Sequence, residues 1–451
     1  MSDDGAALAA ENARLRSELQ AMQLQFDALV ASTSERIQQL IDENELLAEA
    51  NGLLMESSAK FQTTADAASS AVAAASSSAN LLQVPDELLL PGTGIMSREI
   101  QVVEKPHSFG NLLSVATHAV RYEIVVTGGA DKYICVHDWT QNRKLAEFLA
   151  TAPVLDLSFN PNPRFADYFI AAFMDGKHGV YRLVRGSGVW QVREIQLFHD
   201  HTRPGVMKVA WNPSGELFAT GASDKSLHVY QCADLVDTDD EAASVTKIKS
   251  FFFNGTVEAI TFVPAVSSEQ QSQEDTMETR NELLVIAVRD DCYVHYVDCV
   301  TFEKERINMN QDGIEHVSYT IMDLRISPSG KYLLAATDTS RHFVFQVKTN
   351  VVLRNLYGHK AGAYSQPRAV WHPSEKYVLS NTEDNGEVVV WCIASERVVE
   401  TISAHDALVR DLSCSLAAKQ ASGDDVKAQV TLVTVSYDKR LKVWGLDPEK
   451  P

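Results

Sequence analysis

The sequence predicts an all-β chain, a seven-bladed β-propeller of short antiparallel strands, preceded by an α-helical coiled coil. Three observations predict it. First, one unit recurs, made of a Pro-x-Gly turn, a short apolar strand, an Asp-centred turn and an alternating strand. It reads SPSGKYLLAATDTSRHFVFQV at 327–347, NPSGELFATGASDKSLHVYQC at 212–232 and HPSEKYVLSNTEDNGEVVVWCI at 372–393. Repetition at a period in the forties, with four strands per period, is the mark of propeller blades. Second, seven turn aspartates set the count: Asp131, Asp175, Asp224, Asp291, Asp338, Asp384 and Asp438. Third, residues 8–54 are free of proline and place an apolar or asparagine residue every three or four positions, as an amphipathic helix does.

The gaps between successive turn aspartates are 44, 49, 67, 47, 46 and 54 residues. The long one holds two polar, acidic stretches, 233–243 and 267–282, that read as surface loops. A repeat architecture also explains how 451 residues exceed the size at which a single hydrophobic core stops growing. With 45% hydrophobic and 22% charged residues the composition is ordinary for a globular protein, but the net charge of −20 makes nucleic acid a poor partner. The six cysteines, at 135, 232, 292, 299, 392 and 414, form no C-x-x-C pair and fall in or beside predicted strands. Free thiols in a reducing compartment are expected. The acidic N-terminus MSDDGAALAA lacks the basic region of a secretory signal, and no 18-residue apolar run occurs. The expectation is a cytoplasmic protein.

In the helical region, Leu8, Leu15, Met22 and Leu29 fit heptad position d, with Asn12, Leu19, Phe26 and Thr33 at a. After a four-residue stutter the frame resumes with Ile37, Asn44 and Asn51 at a and Leu40, Leu47 and Leu54 at d. A buried a-position asparagine needs a partner amide in register, which favours a parallel dimer at a cost in stability. A single helix docked on the chain's own propeller suits the narrow a/d stripe less well. The polar face mixes Glu, Gln and Arg, so direct membrane binding is not expected of it. The expected domains are thus a coiled coil over 1–56, a linker and lead-in over 57–97, and the propeller over 98–448. Residues 57–80 are nearly all Ala, Ser, Thr and Gln, a linker composition. VPDELLLPGTG at 84–94 reads either as a lead-in or as a short docking motif.

Each repeat supplies inner, second and third strands and then an outer one, yet the last pattern, 441–446, is a third strand with no cover. REIQVVEK at 98–105 alternates as an edge strand should, and is expected to complete the last blade. Inner strands are expected at 154–159, 206–211, 257–262, 321–326, 366–371 and 409–414, with first, fourth and sixth positions packed between blades. His107, His201, His316, His359 and His405 precede Asp131, Asp224, Asp338, Asp384 and Asp438. Each pair is expected to form a His–Asp hydrogen bond with a Ser or Thr hydroxyl as third member.

The Gly358-His359 pair, Asp384, Trp391 in VVVWCI and Trp444 in KRLKVWGL resemble the glycine-histidine and tryptophan-aspartate marks of the WD40 repeat, over about residues 98–448. No literal Trp-Asp dipeptide closes a repeat, and Tyr181, Tyr230, Tyr296 and Phe345 stand where the tryptophan would. A narrower resemblance lies in NLYGHKAGAYSQPRAVWHPSEKYVLSNTEDNGEVVVW. It is similar to a blade of WD-repeat regulators of endosomal phosphatidylinositol 3-kinase, which are Rab-GTPase effectors with a longer N-terminal half. That resemblance implies recruitment to endosomes and a role in membrane trafficking.

No enzyme chemistry emerges. His199-Asp200-His201 has no further ligand at metal spacing, Arg185-Gly-Ser-Gly188 lacks the helix of a phosphate loop and reads as a hairpin turn, and no nucleophile elbow occurs. No catalytic residue, metal or cofactor is expected. The expected activity is protein binding at the channel mouth, where second- and third-position side chains of the inner strands converge: Asp156, Lys208, Glu258, Asp323, Arg368, Arg410 and Asp411. Tyr364 and Arg368, in YSQPR, are of the types enriched at binding hot spots. The same charges could instead neutralise one another around the channel. The reading is a non-enzymatic adaptor dimerised by its coiled coil, with protein partners and at most indirect membrane association. The alternative is a substrate receptor or structural subunit of a ubiquitin ligase, splicing or chromatin complex.

Overall fold

The computed structural model describes residues 84–92, 95–202, 205–233, 235, 244–265, 281–362, 366–383, 385–420 and 426–446, together with 14–16, 19–20 and 22–23. The chain divides into two compact units, residues 1–83 and 84–451. In the first, every described residue is helical. The expected a-position asparagines, Asn12, Asn44 and Asn51, and the 57–80 linker lie outside the described residues.

The second unit holds seven four-stranded antiparallel sheets. Six blades are consecutive in the chain. The seventh takes three strands from Val409–Gln420, Val426–Ser436 and Leu441–Gly445 and its outer strand from Arg98–Val103. Arg98 stands opposite Gly445 and Val103 opposite Leu441, so the ring is closed by its two ends as the alternation of REIQVVEK predicts. An unpaired Leu441–Gly445 would otherwise be an open edge.

Because strands alternate in direction, the outer-to-inner connections and the Asp turns, among the described residues, lie on one face, called upper here. The inner-to-second and third-to-outer turns lie on the lower face. At the Asp turns a carboxylate accepts the N–H two residues on, as in Asp131 to Tyr133 (3.1 Å), Asp224 to Ser226 (3.0 Å), Asp291 to Tyr293 (2.9 Å) and Asp438 to Arg440 (2.9 Å). The residue between them takes positive φ at Lys132, Lys225 and Lys439, the left-handed geometry of a tight hairpin.

The inner strands are Leu112–Thr117, Val154–Phe159, Val206–Trp211, Val257–Val263, Ile321–Ile326, Ala369–Trp371 and Val409–Gln420. The sixth starts three residues later than the sequence predicts. Pro367 has no N–H to give to the ladder, and the Arg368 N–H is taken by the Asn381 side chain at 2.7 Å. The six others share a register shift between their first and third residues, as at Val154/Asp156 and Val409/Asp411. Such a bulge turns two consecutive side chains toward the same side, which is why second and third positions both reach the channel.

The core lies between blades. Phe169, Phe173 and Tyr181 fill the space between blades 1 and 2, and Phe345, Leu333 and Val285 that between 4 and 5. The lead-in is part of this packing. Leu88, in the single helical turn Asp86–Leu89, is buried against Tyr332, Leu334, Leu356 and Trp391 of blades 5 and 6. Ile95 and Met96 enter the cluster of Tyr377, Leu379 and Trp444. Glu87 pairs with Lys331 at 3.0 Å, and its carbonyl accepts from Lys376. Val84–Met96 is therefore a strap over blades 5 to 7, and the compact unit begins at Val84, ahead of the first strand at Arg98.

Candidate functional site

Three blades carry the expected histidine network in full. His107 Nδ1 is 2.9 Å from Asp131 and its Nε2 2.8 Å from Thr127 Oγ1. His201 meets Asp224 (3.2 Å) and Thr220 (2.9 Å). His405 meets Asp438 and Thr434 (2.9 and 2.8 Å), and Trp444 Nε1 donates to the same Thr434 hydroxyl at 3.0 Å. Gly129 precedes Asp131 where a Cβ would collide with the Asp131 carboxylate and the His107 ring, so this blade needs glycine there.

Two blades depart from the expectation. His316 is exposed and does not reach Asp338, whose carboxylate instead accepts the Thr320 N–H at 2.8 Å. The Asn310 side chain, bonded to the Ile314 and His316 carbonyls (2.8 and 2.7 Å), folds that loop outward. In blade 6, Asp384 lies outside the described residues. His359 is buried, lies against His342 with ring centroids 3.9 Å apart and the rings tilted by 34°, and packs edge-on to Trp391. The Ser380 hydroxyl, in the position of the third network member, bonds His342 Nε2 at 3.0 Å instead. Trp391 Nε1 donates to the Tyr357 carbonyl at 2.7 Å.

Toward the channel, the third-position residues form one deep charged layer. Asp156 accepts the Val209 N–H (2.9 Å), Asp323 the Ala369 N–H (3.3 Å) and Asp411 the Val115 N–H (2.9 Å), each stitching its blade to the next. Lys208 Nζ is 2.9 Å from Asp323, Arg325 Nε 3.3 Å and Arg368 3.7 Å. Burial opposes ionisation of Asp323, but Arg325, Lys208 and Arg368 outweigh it and hold its carboxyl well below the usual range. Burial, then Arg368, lowers the Lys208 ammonium, while burial raises Asp411. Glu258 is taken by Arg289 at 2.6 Å. Lys208, Asp323, Arg368 and Asp411 thus sit together, buried and largely neutralising one another.

Arg410 is placed apart from them. It lines a cavity of about 530 Å³ on the upper face, together with Leu113, Pro153, Leu155, Met174, Pro367, Leu408 and Tyr437. The side chain is 8% exposed, and its Nη1 has no hydrogen-bond partner among the described residues. Burial, then Arg368, disfavours its charge. Tyr364 lies outside the described residues. A second cavity of about 740 Å³ opens on the lower face, walled by Lys208, Asp323, Asp411 and the turn prolines Pro161, Pro213, Pro264, Pro328 and Pro373.

Sequence reasoning missed part of the upper wall. Ala130, Met174, Glu383 and Tyr437 all line it, and each immediately precedes a turn aspartate. That position was readable as a register once the seven turns were aligned. Among the described residues no three His, Cys, Asp or Glu side chains gather as a metal site, the six cysteines are free, and no helix is long and apolar enough to cross a membrane.

Residues 192–231 match the family model for the WD domain, G-beta repeat. The match runs from the outer strand of blade 2, Val189–Phe198, to the third strand of blade 3, Ser226–Ala233. That is the same offset between sequence repeat and blade that the closure of blade 7 requires. The chain carries a WD40 repeat within a seven-bladed β-propeller, an architecture that generally serves as a protein-interaction scaffold.

Proposed function

We propose that this chain is a non-enzymatic scaffold whose upper cavity receives an acidic side chain of a partner protein, and whose residues 8–54 pair two copies into a parallel dimer. Arg410 carries the reading. A buried guanidinium with an unpartnered Nη1 among the described residues, facing a largely apolar cavity, offers a carboxylate a charge-assisted bond in surroundings of low polarity. Arg368, Lys208, Asp323 and Asp411 support it from one layer deeper, and Tyr364, four residues before Arg368 in the chain, is the proposed aromatic companion. For the dimer, the support is that Leu15, Leu19 and Met22 are helical and 54%, 62% and 62% exposed, an apolar stripe in want of a second helix. Doubling the propeller would raise effective concentration at a partner. The resemblance at 355–391 supports an endosomal setting.

The test is proximity labelling with the full chain, followed by affinity measurement for the partner recovered. Arg410→Ala should weaken binding by about 2 kcal/mol or more, roughly thirtyfold, with the melting temperature kept. Undiminished affinity would move the site off this cavity.

A further inference from the structure

We propose that the partner segment entering the upper cavity lies extended across the upper face and alternates in charge: an acidic side chain at Arg410, a basic one over Asp290, Asp338 and Glu383, and a second acidic one at Arg341 on the rim of blade 5. This deepens the reading of Arg410 given above and rests on it. The observation behind it is that the Arg410 cavity is the first of three hollows that share walls. Ala361 borders both that cavity and a second one of about 520 Å³. Ser318 and Tyr319 border both the second and a third of about 350 Å³. Ser318 and Tyr319 lie between Lys304–Asn308 and Ile321–Ile326, and Ala361 between Val352–Tyr357 and Ala369–Trp371. Both are outer-to-inner connections, so the first two hollows open on the upper face. The third continues from them to the outer strand of blade 5, where Val352 and Asn355 border it.

The sign of the charge changes from each hollow to the next. Arg410 is 8% exposed, with an unpartnered Nη1 among the described residues, and Lys360 of the same wall already has an interaction partner. In the second hollow stand Asp338 and the exposed Asp290. A Cβ on Gly362, in its wall, would meet the Glu383 carboxylate at 2.8 Å, and Glu383 also borders the first cavity, so a third carboxylate sits at the seam. Arg289 feels Asp290 and Asp338, but Glu258 holds its Nε at 2.6 Å. In the third hollow the Arg341 guanidinium lies 4.3 Å from the Phe343 ring centroid, and its Nη1 donates to the Tyr357 hydroxyl at 3.2 Å. It makes no ion pair among the described residues. A guanidinium laid on a ring keeps in-plane N–H groups for a carboxylate. The acids beside it are engaged: Asp312 by the Ile314 N–H at 2.9 Å and Glu315 by the Tyr293 hydroxyl at 2.5 Å.

This order selects the partner. A uniformly acidic segment sets like charge against the three middle carboxylates, and a uniformly basic one sets it against both guanidiniums. An alternating segment meets opposite charge at every step. Beside Arg410, Leu155 and Met174 of the first cavity offer an apolar wall to a residue next to the first acid.

The test is fluorescence polarisation of the full chain with labelled synthetic peptides of the pattern Leu-Glu, spacer, Lys, spacer, Glu, the Gly-Ser spacers graded in length. In the tightest peptide, replacing the Lys or the distal Glu by Gln should weaken binding about threefold each. Arg341→Met, which keeps an apolar stem over Phe343, should weaken the Glu-ended peptide by the same factor and leave the Gln-ended one unchanged. Asp290 has positive φ, which asparagine tolerates, and Asp290→Asn should act in the same way on the Lys. Melting temperatures verify the fold of each variant, and the peptide replacements test the pattern on the unaltered chain. If Arg410→Ala abolishes binding while the Gln replacements, Arg341→Met and Asp290→Asn change nothing, the alternating segment is overturned and the cavity reading stands. If no peptide binds, or if binding survives Arg410→Ala, the cavity reading fails and the segment falls with it.

Discussion

Lys208 of blade 3 and Asp323 of blade 5 meet across the central channel at 2.9 Å, bypassing blade 4. Both are buried, so their attraction is little screened, but their desolvation is expensive. Asp323 serves three cations and one backbone N–H. Asp323→Ala should therefore cost about 3–5 kcal/mol, leaving Lys208, Arg325 and Arg368 uncompensated. Lys208→Met should cost far less, because Arg325 and Arg368 still balance the carboxylate. Urea denaturation distinguishes them, and equal losses would mean that Lys208 is the indispensable partner. Since the folded carboxyl of Asp323 titrates below its unfolded value, its contribution is present at neutral pH and is lost as pH falls through and below about 4.

Buried histidines set a second acid limit. His178, His201 and His228 form one contiguous cluster of blades 2 and 3, with ring centroids 4.6–5.5 Å apart, and Asp200 and Lys247 face it. Burial lowers all three, His228 to about 4, and lowers His359 to about 4 as well. Such groups stay neutral when folded and take up protons when unfolded. Stability is thus unaffected above about pH 6.5 and falls as pH drops from there toward 4. His178→Phe should remove about 2 kcal/mol of the loss between pH 7 and pH 5. Unchanged pH dependence in that variant would show that His178 is already protonated in the fold.

Deleting residues 1–83 should leave the propeller's melting temperature unchanged, whereas deleting 1–97 should lower it, because Leu88 and Met96 are each 1% exposed. Leu88→Ala alone should cost about 2–5 kcal/mol. If both truncations melt together, the strap does not stabilise the ring.

Deleting residues 1–106 removes the Arg98–Val103 strand as well and opens the Leu441–Gly445 edge. Aggregation and a further drop in melting temperature are expected, measured by light scattering during a thermal scan. Identical scattering with and without this strand would refute closure through it.

Residues 1–56 alone should sediment as a dimer, and Asn44→Leu should stabilise the assembly while loosening its register or oligomer number. A monomer at equilibrium, or an unchanged assembly in the variant, counts against the a-position role of Asn44.

Much of this molecule is written locally. Strand alternation, the Asp turn with its following residue at positive φ, and a leftover edge-strand pattern at 98–105 are properties of a few neighbouring residues. The blade count and the closure were therefore readable from the chain alone. The His–Asp–Thr networks of blades 1, 3 and 7 were readable for the same reason, each lying within one blade. What the tertiary structure decided are contacts between blades and across the ring. His316 takes no part in its blade's network because the Asn310 side chain of the same loop holds the Ile314 and His316 carbonyls, a hydrogen-bond pattern that histidine-to-aspartate spacing does not show. The strap was legible as a composition, but only the groove between blades 5 and 6 makes Leu88 a core residue. Lys208 and Arg410 read alike in sequence. The bulge that opens the inner strand and the curvature of the ring place one among carboxylates and leave the other facing a cavity, because a side chain's surroundings in a closed ring come from blades far away in the chain.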